Sequence, residues 1–202
     1  STDRITNFGY KSDKTGFSVG STFEFYDDLY WNTGISSYVE KLETDSTASA
    51  SMKKQKGSYF DTFYNQTFSY DKRNQKYQTS DGYIIRFTQN IPLISENYAL
   101  TNSYDYKIYN EWLDDNVFSI GFFGKTTNSL SGKDVKLSDR LYLPASKLRG
   151  FESGKVGPKD GNDHIGGNYA ASINIATTLS QILPNSQNTN FSIFFDAANV
   201  WG

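Results

Sequence analysis

Arg149 is the residue of this chain whose neighbours most clearly indicate a specific contact. It stands in the segment Leu148, Arg149, Gly150, Phe151, inside a connection that spans about 129–166. A loop of that length without regular structure is usually either functional or disordered. A guanidinium beside a glycine can approach another backbone and hold a carboxylate through two parallel hydrogen bonds. The segment therefore indicates an arginine–carboxylate contact, and the simpler alternative is an exposed basic residue on a flexible loop.

Other groups that could carry chemistry have simpler explanations. His164 is the sole histidine and the chain has no cysteine, so a metal site or a histidine base is not indicated. The run at 159–163 has oxygen ligands and a glycine but lacks the spacing of a calcium loop, which favours a solvated turn. We find no Ser/His/Asp grouping and no phosphate loop, and we expect neither enzymatic activity nor a bound cofactor.

Two pairs of carboxylates and one group of lysines are also explained most simply as residues of surface turns and loops. Asp27 with Asp28, and Asp114 with Asp115, are turn residues and not an acid–base pair, because neighbours in a strand point to opposite faces. Three lysines of the connection at 44–57 could meet lipopolysaccharide phosphates, although a solvated basic loop is the simpler explanation: Lys53, Lys54, Lys56.

Composition favours a single β-rich domain. The chain has 202 residues, of which 16% are aromatic and 37% hydrophobic, and tyrosine and phenylalanine favour strands. A formal net charge of −2 gives no support for nucleic-acid binding. No apolar run reaches the roughly 18 residues that a transmembrane helix needs. The first residues do not resemble a signal peptide, and we expect the chain to be a piece of a longer protein.

Eight segments alternate apolar and polar residues with the period of two that is typical of strands. They lie near 10–26, 29–43, 58–71, 83–94, 98–112, 116–128, 167–180 and 190–201. Their polar faces carry ionisable residues, as the wet lumen of a barrel would: Glu24, Arg86, Asp105, Lys107, Asp196. The segments are also longer than the usual strand of a soluble sandwich.

The connections between these segments alternate in length. Short joints fall near 26–28, 114–116 and 184–188, whereas longer excursions fall near 44–57 and 129–166. Short turns on one side and long loops on the other are typical of an up-and-down membrane barrel. The pattern is imperfect, because the joint at 72–82 is long for a turn and the joint at 94–97 is short for a loop. A soluble β-sandwich is the main alternative.

The last sixty residues resemble a known family. The segment at 148–151 resembles the V-R-G-F/Y motif of BamA-type outer-membrane assembly factors. The match continues in the same order through further positions: Gly157, Pro158, Gly166, Gly167, Asn168, Phe195, Asp196, Val200, Trp201. Upstream of the loop, the similarity is one of strand spacing and hairpin order.

This resemblance implies a fold and a contact. The fold is all-β, an antiparallel up-and-down transmembrane β-barrel of sixteen strands, of which residues 1–202 would form a partial barrel domain of about eight strands. The loop at 129–166 would fold into the lumen, where Arg149 would meet the carboxylate of Asp196. Many relatives carry a second acid on the strand after the loop, and Ala176 stands at the matching position here. Glu152 is a possible substitute on grounds of nearness alone.

The resemblance also implies a function. It predicts folding and insertion of β-barrel proteins into the bacterial outer membrane, without ATP or chemical catalysis. The implied partners are outer-membrane lipid, unfolded β-barrel clients and the accessory lipoproteins of an assembly complex. A translocation-and-assembly or two-partner secretion transporter would share the motif. A porin-like channel and a soluble β-sandwich binding module are more distant alternatives.

Overall fold

A computed structural model describes residues 2–7, 10–113, 115–179 and 191–202 of the chain. Its main feature is a nine-stranded antiparallel sheet in which neighbours in sequence are neighbours in space. The strands are β1 Thr2–Asn7, β2 Tyr10–Tyr26, β3 Leu29–Thr44, β4 Gly57–Asp71, β5 Gly82–Ile94, β6 Ala99–Leu113, β7 Asn116–Ser129, β10 Tyr169–Thr178 and β11 Ser192–Trp201. Strand β7 pairs with β10, because β8 Lys159–Asp160 and β9 Asp163–His164 form a separate hairpin within the long connection.

The all-β antiparallel prediction is confirmed, and each of the eight predicted segments contains a strand. Strand β1 is a ninth strand that the pattern did not predict. The predicted ends at 180 and 190, and the short joint at 184–188, lie outside the described residues.

Helical structure in the described residues is confined to short turns. The predicted loop at 44–57 contains a helix, α1 Ala50–Lys53, and the long connection contains two 3-10 turns, η1 Leu137–Asp139 and η2 Ala145–Lys147. None of the helices in the described part of the chain has the length and apolar character that crossing a membrane requires.

Aspartates form the tight turns at one end of the sheet. Asp27 and Asp28 join β2 to β3, and Asp28 has a φ of 65°. Asp115 has a φ of 61° between β6 and β7, and Asp114 lies outside the described residues. Aspartate tolerates this left-handed conformation better than most residues, and positive φ matches the twist of a two-residue hairpin. These described aspartates are therefore turn residues, as the sequence indicated.

The period-two alternation gives the sheet two chemically distinct faces. One face exposes a broad set of large apolar side chains, among them Phe17, Val19, Phe23, Phe25, Ile85, Phe122, Ile173, Ile193 and Phe195. On this face Trp31 of β3 lies between Phe23 and Phe68 of the adjacent strands, with ring centroids 6.0 Å and 5.9 Å away. Toward the opposite end of β2 and β3 the same face becomes ionic: Lys11, Asp13, Lys41 and Glu43 form ion pairs there. This outer face therefore carries an apolar belt with a charged border.

Part of the other face of the sheet is covered by the connection between β7 and β10, residues 130–168, which we call the lumen loop. Leu137 joins one buried apolar cluster with Tyr10, Leu42, Ala48 and Met52. Leu141 and Leu143 join a second cluster with Phe123, Ala170 and Val200. Complete burial of one such leucine contributes about 1.5–3 kcal/mol. The apolar core thus lies between the loop and the inner face.

If the outer belt meets lipid, a charge placed in it must be costly. We expect Ile85→Lys or Ile173→Lys to reduce the stability of the full-length protein in bilayers by about 2–4 kcal/mol, the cost of a lysine near the membrane midplane. The measurement is the free energy of unfolding in denaturant. Thr88→Lys, on the inner face of the same strand as Ile85, is the matched control and should cost less. Equal losses at Ile85 and Thr88 would show that the outer face is wet.

Candidate functional site

The structure brings Arg149 of the lumen loop onto Asp196 of β11. The guanidinium donates from Nε to Asp196 Oδ2 over 2.8 Å and from Nη2 to Oδ1 over 2.6 Å. The backbone N–H of Arg149 donates to Oδ2 over 2.9 Å. Three charge-assisted hydrogen bonds, two of them in a bidentate arrangement, fix the orientation of the arginine as well as its position. We call this contact the Arg149 clamp.

The carboxylate of the clamp is buried, whereas the arginine is partly exposed to solvent. The side chain of Asp196 is 2% exposed, whereas that of Arg149 is 34% exposed. Hydrogen bonding to Asp196, opposed by partial burial, raises the pKa of Arg149 above its ordinary value, so the guanidinium remains charged at any physiological pH. A buried aspartate in contact with a fixed cation satisfies the rule that buried charges are paired.

Asn174 supplies the support that a second acid was expected to give. It lies opposite Asp196 in the β10–β11 register. Its Nδ2 donates to Asp196 Oδ1 over 2.8 Å and to the backbone carbonyl of Lys147 over 3.0 Å. Asn174 therefore holds both the carboxylate and the loop segment just before Arg149. Asn174 belongs to the polar face of the segment predicted at 167–180, but as a neutral amide outside any motif it carries no signal in the sequence that marks it as a partner of Asp196.

Two further contacts hold the loop segment beside the clamp. The Arg149 guanidinium lies 3.8 Å from the centroid of the Phe194 ring, close enough for a cation–π contact. Lys147 forms an ion pair of 2.5 Å with Asp105 of β6. The clamp is thus one part of a network of contacts between the loop and strands β6, β10 and β11.

The other residues of the motif have distinct positions. Leu148 is buried, while Phe151 is 61% exposed at the tip of the loop. Gly150 has a φ of 83°, a left-handed conformation that residues with a side chain rarely adopt. It therefore allows the chain to turn directly after Arg149.

The signature positions downstream meet where the loop joins β10 and β11. Gly157 lies against Val200, and a Cβ on Gly167 would approach the carbonyl oxygen of Trp201 to 2.5 Å. Asn168 donates from its backbone N–H to the same Trp201 carbonyl over 2.9 Å. Gly167 also exchanges two backbone hydrogen bonds with Leu141. The small residues allow the two ends of the loop to pack against the last strand.

Pro158 and Gly166 complete the signature. The carbonyl of Pro158 accepts a hydrogen bond from the N–H of Ile165 over 3.1 Å. Gly166 is buried and lies against the carbonyl of Leu141. Together they close the turn that contains the β8–β9 hairpin.

The position of Ala176 agrees with its predicted face. It lines the same inner cleft as Arg149 and Asn174, and no carboxylate stands there to add to the clamp. The cleft is rich in cations, with one acid among its charged lining residues: Arg73, Arg86, Lys107, Lys147, Arg149 and Asp105. Glu152, the substitute suggested by nearness, is exposed, and no ion pair to it is found among the described residues. Asn174 takes the supporting role instead.

The remaining candidates form no metal or catalytic site in the described residues. No group of three or more potential metal-ligating side chains occurs in this part of the chain. His164 is buried, and burial lowers its pKa, so it is neutral near pH 7. Asp163 accepts a hydrogen bond from the backbone N–H of Ser49, and Asp160 accepts one from Ser51, so the predicted turn packs against the start of α1. Lys53, Lys54 and Lys56 are exposed, and their contact with lipid phosphates stays a prediction.

Comparisons with known proteins agree with this geometry. A family model described as the Omp85 superfamily domain matches residues 1–202. The chain belongs to the Omp85 superfamily. The resemblance inferred from the motif is therefore confirmed at the level of the family, as is the outer membrane as the location. The family is one of outer-membrane β-barrels connected with protein assembly and insertion.

Two relatives show which known proteins this Omp85 chain is similar to and how much of each it spans. The crystal structure of BamA from Haemophilus ducreyi lacking POTRA domains 1–3 matches 96% of the chain with a TM-score of 0.81 and 19% identity. That match shows the barrel fold. A SAM50-like protein of Schizosaccharomyces pombe is 51% identical over 41 residues, which is 20% of the chain. The chain spans 42% of the BamA structure and 9% of the SAM50-like protein.

The contact between Arg149 and Asp196 predicts non-additive stability losses. In the full-length protein we expect Arg149→Ala and Asp196→Ala each to be destabilising, because each leaves the other charge without its partner. The double variant should lose less than the sum of the two. The coupling free energy should be about 0.5–3 kcal/mol, as for residues in one ion-pair network. Unfolding in denaturant measures it, and strictly additive losses would contradict the energetic pairing.

The role of Asn174 predicts a separate effect. We expect Asn174→Ala to destabilise the protein by about 1.5–3 kcal/mol, the contribution of a hydrogen bond to a charged group. Introducing Ala176→Glu in that background should restore part of the loss, because it adds a carboxylate to a cleft rich in cations. Asn90→Ala, on the inner face of β5, serves as the control. Unchanged stability in Asn174→Ala would show that Arg149 alone holds Asp196.

Proposed function

We propose that this chain is the central wall and lumen loop of a BamA-like assembly factor, which folds and inserts β-barrel proteins into the bacterial outer membrane. The observation that carries the proposal is the Arg149 clamp. It ties a long loop to the inner face of an Omp85 sheet whose outer face is an apolar belt. The bacterial compartment is part of the proposal.

Stiffness is the physical contribution that we assign to this part of the barrel. The lumen loop contacts strands near both edges of the sheet, through Tyr10 of β2 and Asp196 of β11. A wall that is held from inside by the loop resists separation of its own strands. In such a barrel, strands separate at the seam between the first and last strands, where an unpaired edge can template a client strand.

We further infer that the activity involves neither ATP nor chemical catalysis. The clamp and its neighbours hold a loop in place, and their groups are engaged with one another. On this proposal the partners are membrane lipid around the outer belt, unfolded β-barrel clients at the seam, and accessory lipoproteins. Client insertion is then driven by strand pairing and by burial of apolar side chains in lipid.

A translocation-and-assembly or two-partner secretion transporter is the main competing function, because its barrel would share the motif. The similarity to a SAM50-like protein supports the assembly role over secretion. A porin-like channel fits less well, since a braced loop lies across the inner face of the sheet.

The proposal can be tested by reconstituting the full-length protein into phosphatidylethanolamine–phosphatidylglycerol vesicles. We expect it to accelerate folding of a urea-denatured outer-membrane barrel protein, measured by the gel mobility of the unboiled folded form. Arg149→Ala should slow that folding by about tenfold, which corresponds to 1.4 kcal/mol of activation free energy.

The matched control is Lys155→Ala, which removes an exposed cation from the same loop and should leave the rate unchanged. Absence of acceleration by the unaltered protein would reject the assembly function. Release of a soluble protein across the vesicle membrane in its place would identify a secretion transporter, and passive solute flux alone would identify a channel.

A further inference from the structure

A second charged contact joins the lumen loop to a different part of the wall. Lys136 Nζ lies 2.7 Å from Glu40 Oε2 of β3 and 2.7 Å from Asp61 Oδ2 of β4. Asp139 of the same loop stands 3.7 Å from this ammonium group, and the Tyr59 ring centroid is 4.9 Å away. We call Lys136, Glu40, Asp61 and Asp139 the Lys136 node.

The two wall carboxylates of the node, Glu40 and Asp61, accept further hydrogen bonds besides those from Lys136. Glu40 also accepts hydrogen bonds from Ser12 and from Ser138, the latter over 2.9 Å. Asp61 accepts one from Ser95 over 2.6 Å. Satisfied polar networks in a low-dielectric surrounding hold their members in one arrangement.

The Lys136 ammonium remains charged in this setting. Burial alone would lower its pKa, but the charges of Asp139 and Glu40, together with hydrogen bonds to Asp61 and Glu40, raise it above its ordinary value. The cation thus matches the carboxylates of β3 and β4 electrostatically as well as by hydrogen bonding.

Backbone contacts add to the node. The N–H of Leu137 donates to the Gln55 side chain over 2.8 Å, and the Leu137 side chain is buried in the apolar cluster with Met52. Arg140 donates from its N–H to the carbonyl of Lys136 over 3.1 Å, which closes the turn around η1. The segment 135–143 is therefore held by charge, hydrogen bonds and apolar burial together.

The two anchors of the loop differ in burial and in location. The side chain of Lys136 is 2% exposed and that of Arg149 is 34% exposed. Four strands, β5, β6, β7 and β10, separate β4 from β11 in the sheet. After Leu148 the loop is largely exposed, including Phe151, Glu152 and Ser153. Solvent can therefore compete for the Arg149 clamp far more easily than for the Lys136 node.

We propose that Lys136 is a second positioning residue of the lumen loop, which fixes the loop root, residues 135–143, to β3 and β4 independently of the Arg149 clamp. The loop then consists of a fixed root and a releasable tip, residues 144–157. When the clamp opens, the tip can leave β11 while the root stays seated on the opposite part of the wall. This division holds whatever substrate the barrel handles.

Hydrogen–deuterium exchange of the full-length protein, resolved by peptide, tests the division. Arg149→Ala should speed exchange by about tenfold in the tip and leave the root within about twofold of the unaltered protein. Lys136→Met should do the reverse, speeding exchange in the root while the amide of Arg149 stays protected. Lys133→Met, which removes an exposed lysine of the same loop, is the control and should change neither segment.

Loss of Lys136 leaves the buried Asp61 carboxylate without its cation and leaves Glu40 with Lys14 alone, 3.8 Å away, so the Lys136→Met protein could fail to fold. Protection of β4 and β5 reports folding directly. If those strands lose protection, Glu40→Gln takes its place, because it keeps the shape of the side chain and removes one charge. It should speed exchange in the root and not in the tip. Exchange that rises equally in root and tip for either variant would overturn the proposal, as would an unchanged root in Glu40→Gln.

Discussion

The structure depends on one constraint: charged groups on the inner face of a sheet with a lipid-facing outer side must find partners inside. The strands alternate, so the chain neighbours of each outward side chain are directed inward, and several of them are charged. Asp196, Glu40 and Asp61 are three such inward acids, and all are almost completely buried. The lumen loop brings Arg149 and Lys136 to them. The loop and the wall therefore stabilise each other, since cations of the loop pair with buried carboxylates of the wall.

The fold and part of the site could be predicted from the sequence because their signals are local. Period-two alternation in segments such as 83–94 requires only adjacent residues. The pairing of Arg149 with Asp196 could be predicted because the motif at 148–151 and the positions downstream of it together resemble one family, and that resemblance implies the contact. By contrast, Lys136 looks like any loop lysine, and its partner Asp61 is 75 residues away. No spacing rule connects them, and the contact exists only because the loop folds back over β3 and β4.

Asn174 shows a different limit of sequence reasoning. The absence of an acid at Ala176 was visible, and it suggested a weaker clamp or another acid. In the structure the amide of Asn174, two residues before that site on the same face of β10, supports Asp196 and also holds the loop backbone. A neutral side chain with both a donor and an acceptor can replace a charge where the need is orientation. The short helix α1 escaped notice for a related reason, because four residues are too few for a helical period.

The outer belt has a consequence for the membrane that surrounds the protein. On β2 it extends over positions 17–25 and on β3 over positions 31–39, and the ion pairs of Lys11, Asp13, Lys41 and Glu43 begin just beyond. Eight steps of about 3.4 Å give roughly 27 Å of strand. Strands that tilt by about 40° reduce that length to a height of roughly 20 Å. The apolar height of β2 and β3 is therefore less than the roughly 30 Å of an average hydrocarbon core, and a thin membrane matches these strands best.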